Sequence, residues 1–551
     1  MRILRFIFVS CLLAPVLLTA QDRPNILWIV CEDISPTLSV YGDTTAHTPV
    51  LDELAAHSMI YRQAFAPVGV CAPARSGIIT GMYPVSIGTM HMRTGKDVTS
   101  WGQRKYAPRV ATTDLKGDSL REYSAVIPEN VKCFTEYLRQ NGYFCTNNQK
   151  TDYQFAAPVT AWDQNDRKAH WRNRNPNQPF FAVFNINTTH ESQLWENERL
   201  PLTVAPEKVP VPPYLPDNAA TRHTIARHYS NVEIMDGEVG EILNQLKADG
   251  LYDQTIIFFY SDHGGPLPHQ KREADDSGLR APLMIKPPGK EVTSRYEDRL
   301  VSFIDLGPTV LSLAGIHPPD YMEGRAFMGD FEAPPHPYIF GSADRFDEFS
   351  DRIRMVRDSG FLYVRNYFPE LPKYKDVAYR KKIPVMLPML ELEKQGQLNA
   401  VQHSWFETKT AEELYFIPTD PFCLNNLAGK PEWAMPLIRL RTIENNRREQ
   451  GTDLGFIPES VLIEQMWPGG KQPQTAQPRI SRENKTFVLS CPTPGASLAF
   501  LISDQPDLKF RPDAGWQLYT KPLRPQKGKY LYAVAERIGF QTSLLLIEKM
   551  E

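Results

Sequence analysis

Cys71 stands four residues ahead of Arg75 in the run Cys-Ala-Pro-Ala-Arg-Ser-Gly-Ile-Ile-Thr-Gly, which ends at Gly81. Pro73, between them, suits the first turn of a helix, where a missing N–H costs nothing. Positions i and i+4 share a helix face, so Arg75 can lean back over the Cys71 side chain. An anionic group held there is favoured by the helix N-terminus and the guanidinium together. The plainer alternative is a half-buried free thiol at a helix start.

Glu32-Asp33 and Asp262-His263 each follow a continuous apolar run, Asn25 to Val30 and Thr255 to Tyr260. Such runs read as buried strands. Side chains at the C-terminal ends of central strands sit where open α/β sheets bind ligands, and carboxylates there suit Ca²⁺ or Mg²⁺. Taken singly, Glu32-Asp33 is equally a solvated strand end, and Asp262-His263-Gly264-Gly265 a turn. A third run, Pro179 to Asn185, leads to His190. Lys150 comes after Gly142-Tyr143, Lys271-Arg272 after the Asp262 cluster, and His91-Met92-Arg93 after the Cys71 helix.

Cys-x-Pro-x-Arg followed by Thr-Gly resembles the signature of the type I sulfatases, within the alkaline phosphatase superfamily. Partner motifs in that family's order extend from about Pro24 to Gly455. The resemblance implies that Cys71 is oxidised to formylglycine by a formylglycine-generating or sulfatase-maturating enzyme, and that the hydrated aldehyde is the nucleophile. It implies one divalent cation, Ca²⁺ or alternatively Mg²⁺, held by Glu32, Asp33, Asp262, His263 and residue 71; relatives commonly carry Asp where Glu32 stands. A sulfate ester needs cationic donors on its non-bridging oxygens and an acid near the bridging one. By resemblance Arg75 and the metal stabilise the nucleophile, His190 protonates the leaving oxygen or nitrogen, and Lys271 binds sulfate, with Arg272 the near alternative. Lys150 matches the Lys of a Gly-Lys-x-His pattern that reads Gln149-Lys150-Thr151-Asp152 here. The role of the missing His passes to Asp152, to His91, or to nothing. His91 and Arg93 are candidates to hold the glycan, with a solvated loop as the alternative.

Pro266-Leu267-Pro268, Asp305 and Pro308-Thr309 look closest to the heparan N-sulfatase (sulfoglucosamine sulfohydrolase) branch. The implied reaction releases inorganic sulfate from a sulfated carbohydrate, with O- and N-sulfate both open. The alternatives are a phosphodiesterase or phosphonate hydrolase of the same superfamily, and a non-catalytic glycan-binding protein with Cys71 unmodified.

The elements that carry these residues alternate strand and helix. Thr48 caps a helix bearing Leu51, Leu54 and Ala55. Pro128 to Asn141 reads as helical. Arg222 to Ala248 is a long helix with Ile225, Tyr229, Val232, Met235, Val239, Ile242 and Leu246 on one stripe. Ala281 to Ile285 is a strand and Asp305 to Ala314 a helix. That order implies an α/β fold, a mostly parallel central sheet covered on both faces. The resemblance makes it alkaline phosphatase-like, with a catalytic domain over 21–333 and a small antiparallel C-terminal subdomain over 334–468. A Gly/Pro/Gln linker over 469–477 precedes short strands that read as an appended β-sandwich over 478–551.

With 42% hydrophobic and 23% charged residues, the 551-residue chain has ordinary globular composition. A net charge of −3 supplies no bulk field for polyanions, so nucleic acid is not an expected partner, and an anionic substrate must be caught by local Arg, Lys or metal. Met1 to Ala20 reads as a secretory signal peptide, charged at Arg2 and Arg5, apolar from Phe6 to Leu18, and ending in small residues. It is short for a membrane span. The mature protein is therefore expected to be secreted or periplasmic, without stable membrane insertion. Cys133 and Cys145 can pair, but an odd count with irregular spacing does not describe a disulfide scaffold. Trp162, His170 and Trp171 serve equally as sugar platforms or as packing.

Overall fold

The computed structural model describes residues 23–95, 112–289, 293–451 and 453–551. The signal-peptide segment Met1 to Ala20 lies outside the described residues. The organising element is strand β1 (Asn25–Cys31), which sits mid-sheet between two parallel neighbours. The other strands of this sheet are β2 (Met59–Tyr61), β3 (Phe144–Asn148), β4 (Gln164–Asn165), β5 (Phe180–Ile186), β6 (Thr255–Ser261), β7 (Leu283–Lys286) and β8 (Arg295–Glu297). Their order is β4-β3-β5-β1-β6-β7-β2-β8. Pairing is parallel from β4 through β6, and β7 runs antiparallel to both its neighbours.

The apolar runs are continuous because both faces of the sheet are covered. Leu27, Ile29 and Cys31 of β1 share a core with Ile225, Val232, Met235 and Val239 of the long helix Ala219–Ala248. The alternate residues Ile26, Trp28 and Val30 share the opposite core. There they meet helices α1 (Cys71–Thr80), α2 (Phe134–Gln140) and, with the long helix numbered α3, α4 (Leu306–Leu313). Trp28 is the centre of that second core, with the rings of Phe134, Phe181, Phe258 and Tyr260 at centroid distances of 5.6, 5.0, 5.9 and 5.3 Å.

Two expectations change on folding. Only Phe134–Gln140 of the segment from Pro128 to Asn141 is helical. Its first part docks the C-terminal region instead: Lys132 donates to Ser497 Oγ at 3.0 Å, and a Cβ on Gly495 would lie 2.2 Å from the Glu129 carbonyl. Thr48 occupies the N-cap position of Pro49–Ala55 without a side-chain cap bond. The Val50 and Leu51 N–H groups go to the Asp236 carboxylate of α3, at 3.1 and 2.8 Å.

Past the main sheet, β9 (Ile339–Ala343), β10 (Ile353–Arg357), β11 (Phe361–Asn366) and β12 (Glu412–Phe416) form an antiparallel sheet. Its side chains share a core with Val68, Val70 and Ala72, the chain entering α1. Farther on, a two-stranded ribbon, Arg479–Glu483 with Thr486–Ser490, and a four-stranded sheet enclose Phe487, Leu489, Phe500 and Leu531. Tyr532, Val534 and Trp516 share a separate cluster with Val159 of the main body. All six described cysteines are free, Cys133 and Cys145 included. Among the described residues no helix is long and apolar enough to cross a membrane.

Replacing Trp28 with Ala empties the ring cluster beneath the ligand-bearing end of β1. A loss of about 3–5 kcal/mol is expected from a buried large-to-small change, read as a lower urea midpoint in equilibrium unfolding.

Candidate active site

The functional residues converge because neighbouring parallel strands end on the same edge. β1 delivers Glu32 and Asp33, and β6 delivers Asp262 and His263. β5 leads to His190 and Glu191, and β3 to Lys150. The start of α1 brings Cys71 to this edge. The whole helix is buried, its N-cap residue Val70 makes no side-chain cap bond, and Gly81 closes it in the left-handed region. Gly69 permits the approach of the Lys271 loop: a Cβ there would stand 2.6 Å from the Glu273 carbonyl, and Arg272 N–H donates to Gly69 O at 2.8 Å.

Cys71 Sγ lies 3.4 Å from His263 Nε2, 3.6 Å from Lys271 Nζ, 3.6 Å from Glu32 Oε2 and 3.9 Å from Asp33 Oδ1. Arg75 donates through Nε to Asp262 Oδ2 at 3.1 Å and through Nη1 to Asn185 Oδ1 at 2.8 Å, and it also pairs with Glu32. Lys150 pairs with Glu32 from the other side. Lys271 Nζ bridges Asp33 at 2.6 Å and Glu191 at 3.1 Å. Burial works against ionising Asp33, but Lys271, His190 and His263 hold its pKa well below the carboxylate range. Burial works against charging Lys150, but Cys71 and Glu32 raise its pKa.

The donor set fits a divalent cation. His263 Nδ1 is 3.0 Å from the Gly264 carbonyl, which can only accept, so Nδ1 carries a proton. In the neutral ring Nε2 is then a lone pair, and it faces Asp33 Oδ1 at 3.1 Å and Asp262 Oδ1 at 3.8 Å. Asp33, Cys71, Asp262 and His263 each place a ligand atom within 4.8 Å of the others. Converging lone pairs in a buried site call for positive charge between them. Glu32 differs: it belongs to a second such group, with Asp33, Cys71 and His190, but its carboxylate is engaged by Arg75 and Lys150.

The remaining residues singled out from sequence separate into layers. The Ser192 N–H donates to His190 Nδ1 at 3.2 Å, leaving the proton of the neutral ring on Nε2. Burial and Lys271 lower the His190 pKa to about 3. Arg272 faces away from sulfur and clamps Glu191 with two bonds of 2.9 Å, with Asp347 at 3.3 Å. Arg93 Nε meets Asp347 at 2.6 Å, its guanidinium 5.0 Å from the Tyr379 ring centroid. His91 packs against Arg345 and Glu459. Asp152 stands 3.9 Å from Lys150, its pKa raised by burial. Glu191, Asn185 and Asp347 were not read from sequence. Glu191 adjoins His190 and Asn185 ends a recognised strand, but nothing local marks Asp347. Asp33, Arg93, Asp152, Arg272 and Asp347 all have positive φ, an arrangement that only a strongly determined surrounding maintains.

Cationic donors and a metal-type ligand set thus surround one buried side chain, Cys71. A family model described as Sulfatase matches residues 24–316. An ulvan-active sulfatase of Formosa agariphila is 41% identical over 96% of this chain and 91% of its own. Human N-sulphoglucosamine sulphohydrolase is 26% identical over 83% of this chain and 97% of its own. The structure of a 2-O GAG sulfatase superposes with a TM-score of 0.56 at 18% identity, covering 78% of this chain and 93% of that one. The chain belongs to the sulfatase family, and its mixed sheet is the alkaline phosphatase-like fold of that family. It is a sulfuric ester hydrolase.

Asp262→Asn removes one charged ligand from the converging set. Metal analysis of the purified protein is expected to fall from about one bound divalent ion per chain to a small fraction of that. Glu459 offers a pH test away from the ligands. Burial raises its pKa, but Arg345 and His91 hold it down to about 2. A depressed carboxylate stabilises the fold above its unfolded pKa, and that contribution is lost as pH falls toward the folded value. Unfolding curves at pH 5 and pH 3 are expected to differ by about 2 kcal/mol more in the parent than in Arg345→Met.

Proposed function

We propose that this sulfatase removes sulfate from a sulfated polysaccharide or oligosaccharide, with residue 71 as formylglycine. The observation that carries the reading is the ring of groups around Cys71 Sγ, with Lys271 and His263 at 3.6 and 3.4 Å. As a thiol the residue is a poor nucleophile, since burial raises its pKa well above the ordinary value despite Lys150 and Lys271. Conversion to the aldehyde, by a maturating enzyme, replaces it with a hydrate that can attack sulfur and later release it. The hard carboxylate oxygens suit Ca²⁺, with Mg²⁺ the alternative. His263, placed in the ligand set from sequence, adds a nitrogen to these oxygens. A bound ion there lends positive charge to the nucleophile and the sulfate oxygens.

The chain's own residues do the rest. Arg75, at the head of α1, orients Glu32 and Asp262 and adds positive charge beside residue 71. Lys150 and Lys271 meet the non-bridging oxygens. An anionic ester next to His190 raises its basicity, so the ring can carry the proton that the departing oxygen takes. Arg272 and Glu191 keep Lys271 in place. The Formosa relative is named for ulvan and the human one for N-sulphoglucosamine, so a glycan is the substrate class, with the choice of O- or N-sulfate set by the saccharide. A polymeric substrate is met outside the cell membrane, which agrees with the leader-like Met1 to Ala20.

The test is sulfate release from a panel of defined sulfated saccharides, with matched phosphate esters alongside. Protein coexpressed with a maturating enzyme should release sulfate, and the peptide containing residue 71 should be lighter than the thiol form. Cys71→Ala should lower kcat/KM by more than about a thousandfold. Equal turnover by Cys71→Ala, or activity confined to phosphate esters, overturns the reading.

A further inference from the structure

A cavity of about 310 Å³ lies in the wall behind Met92, outside the converging ligand set. Its place is fixed by the chain that follows α1. Met92 shares an apolar cluster with Val70 and Ala72, the neighbours of Cys71. Its N–H donates to Arg345 O at 2.8 Å. The lining includes His91, Lys116, Arg345, Arg352, Phe368 and Phe456.

Each wall carboxylate is already taken. Asp114 accepts from Lys116 N, Asp118 N and Ser460 Oγ. Asp344 holds the fork of Arg354, and Asp351 holds Lys409. Glu459 holds the fork of Arg345 and the Tyr123 hydroxyl. Arg352 and Lys116 have no such carboxylate among the described residues. Arg352 spends Nε on the Gly455 carbonyl at 2.8 Å and is flanked by Phe368 and Phe456, with ring centroids 5.4 and 4.8 Å away. Its Nη groups make no hydrogen bond to a carboxylate among the described residues, and burial lowers its pKa although Asp344 and Asp453 lie near enough to oppose that. His91 adds a donor. Arg345 N–H donates to its Nδ1 at 3.3 Å, so the neutral ring carries its proton on Nε2, which is buried and has no partner.

We infer that this cavity binds an oxyanion carried on a sugar ring, a carboxylate or a second sulfate ester, on a glycan unit other than the one losing sulfate. Arg352 and Lys116 meet the anion, charge-assisted hydrogen bonds being the strong kind. Phe456 and the neighbouring Leu115 and Ile457 offer apolar contact to the C–H faces of the ring. The volume falls within the range of small-molecule sites. The biological ligand rests on the glycan reading above, but the binding itself does not.

The experiment titrates the full chain carrying Cys71→Ala with methyl glucuronide, glucose 6-sulfate and methyl glucoside, followed by ligand-observed NMR. An anionic sugar should bind, and Arg352→Gln should weaken it at least tenfold, with partial recovery in Arg352→Lys. Lys116→Glu, at an exposed side chain, should weaken the same probe even if Arg352→Gln fails to fold. A response to the glucuronide alone assigns the site to carboxylates, and one to the sulfated sugar alone assigns it to a second sulfate; either upholds the inference. Methyl glucoside binding as tightly as the charged sugars, or affinities indifferent to both Arg352 and Lys116, overturns it. A protein that binds these probes but releases no sulfate from saccharides would sink the proposed function and leave this site standing.

Discussion

The structure depends on a block of opposed charges held out of water at one edge of a sheet. Glu32, Asp33, Glu191 and Asp262 face Arg75, Lys150, Lys271 and Arg272, all of them buried. Removing each ion from water costs several kcal/mol, and mutual attraction recovers that only with good geometry. Such a block is weak evidence for stability. The stability must come from elsewhere, from the two apolar layers that share alternate residues of β1. On the reading proposed above, what the block supplies is preorganisation: dipoles and charges aimed at a reacting sulfate ester need no rearrangement when charge develops. The positive φ at Asp33 and Arg272 belongs to the same economy, local strain maintained by a rigid frame.

Much of the inner site was legible because its signals are local. Asn25 to Val30 and Thr255 to Tyr260 are too uniformly apolar for any strand but a buried one, and acidic residues follow both directly. Cys71, Pro73 and Arg75 declare a helix start by spacing alone. The outer layer was not legible, because its partners are distant in sequence. Asp236 caps a helix that begins at Pro49, and Arg345 answers Glu459 across 114 positions. Pro128 to Cys133 has helical composition, yet its backbone serves as a dock for the residues around Gly495. In these cases tertiary contacts override local preference.

Consecutive residues illustrate the limit. Sequence alone offers Lys271 and Arg272 as alternatives for one task. In the fold they do different things: Lys271 reaches sulfur, and Arg272 reaches back to Glu191. The positive φ at Arg272 sends the two side chains apart. His91 and Arg93 divide in the same way around the buried Met92. Arg93 and Arg272 then meet at one carboxylate, Asp347, which joins the loop after α1 to the loop after β6.

Asp347 also changes the standing of the antiparallel sheet. It lies in the loop after β9, with Arg345 two residues before it. The sheet from β9 to β12 is therefore more than a flank for the catalytic sheet. It carries the outer brace of the Lys271 segment and, through Arg345 and Arg352, part of the cavity behind Met92. The candidate site occupies strand ends of the parallel sheet, where a frame of continuous hydrogen bonding fixes each group. On the reading proposed above, the variable contacts to a glycan fall on loops of the second sheet, which can change without disturbing that frame. A fold divided this way can keep one reaction while altering which saccharide it accepts. Arg345, bound to Glu459 on one side and to the Met92 and Asp347 carbonyls on the other, is the joint between the candidate site and the cavity.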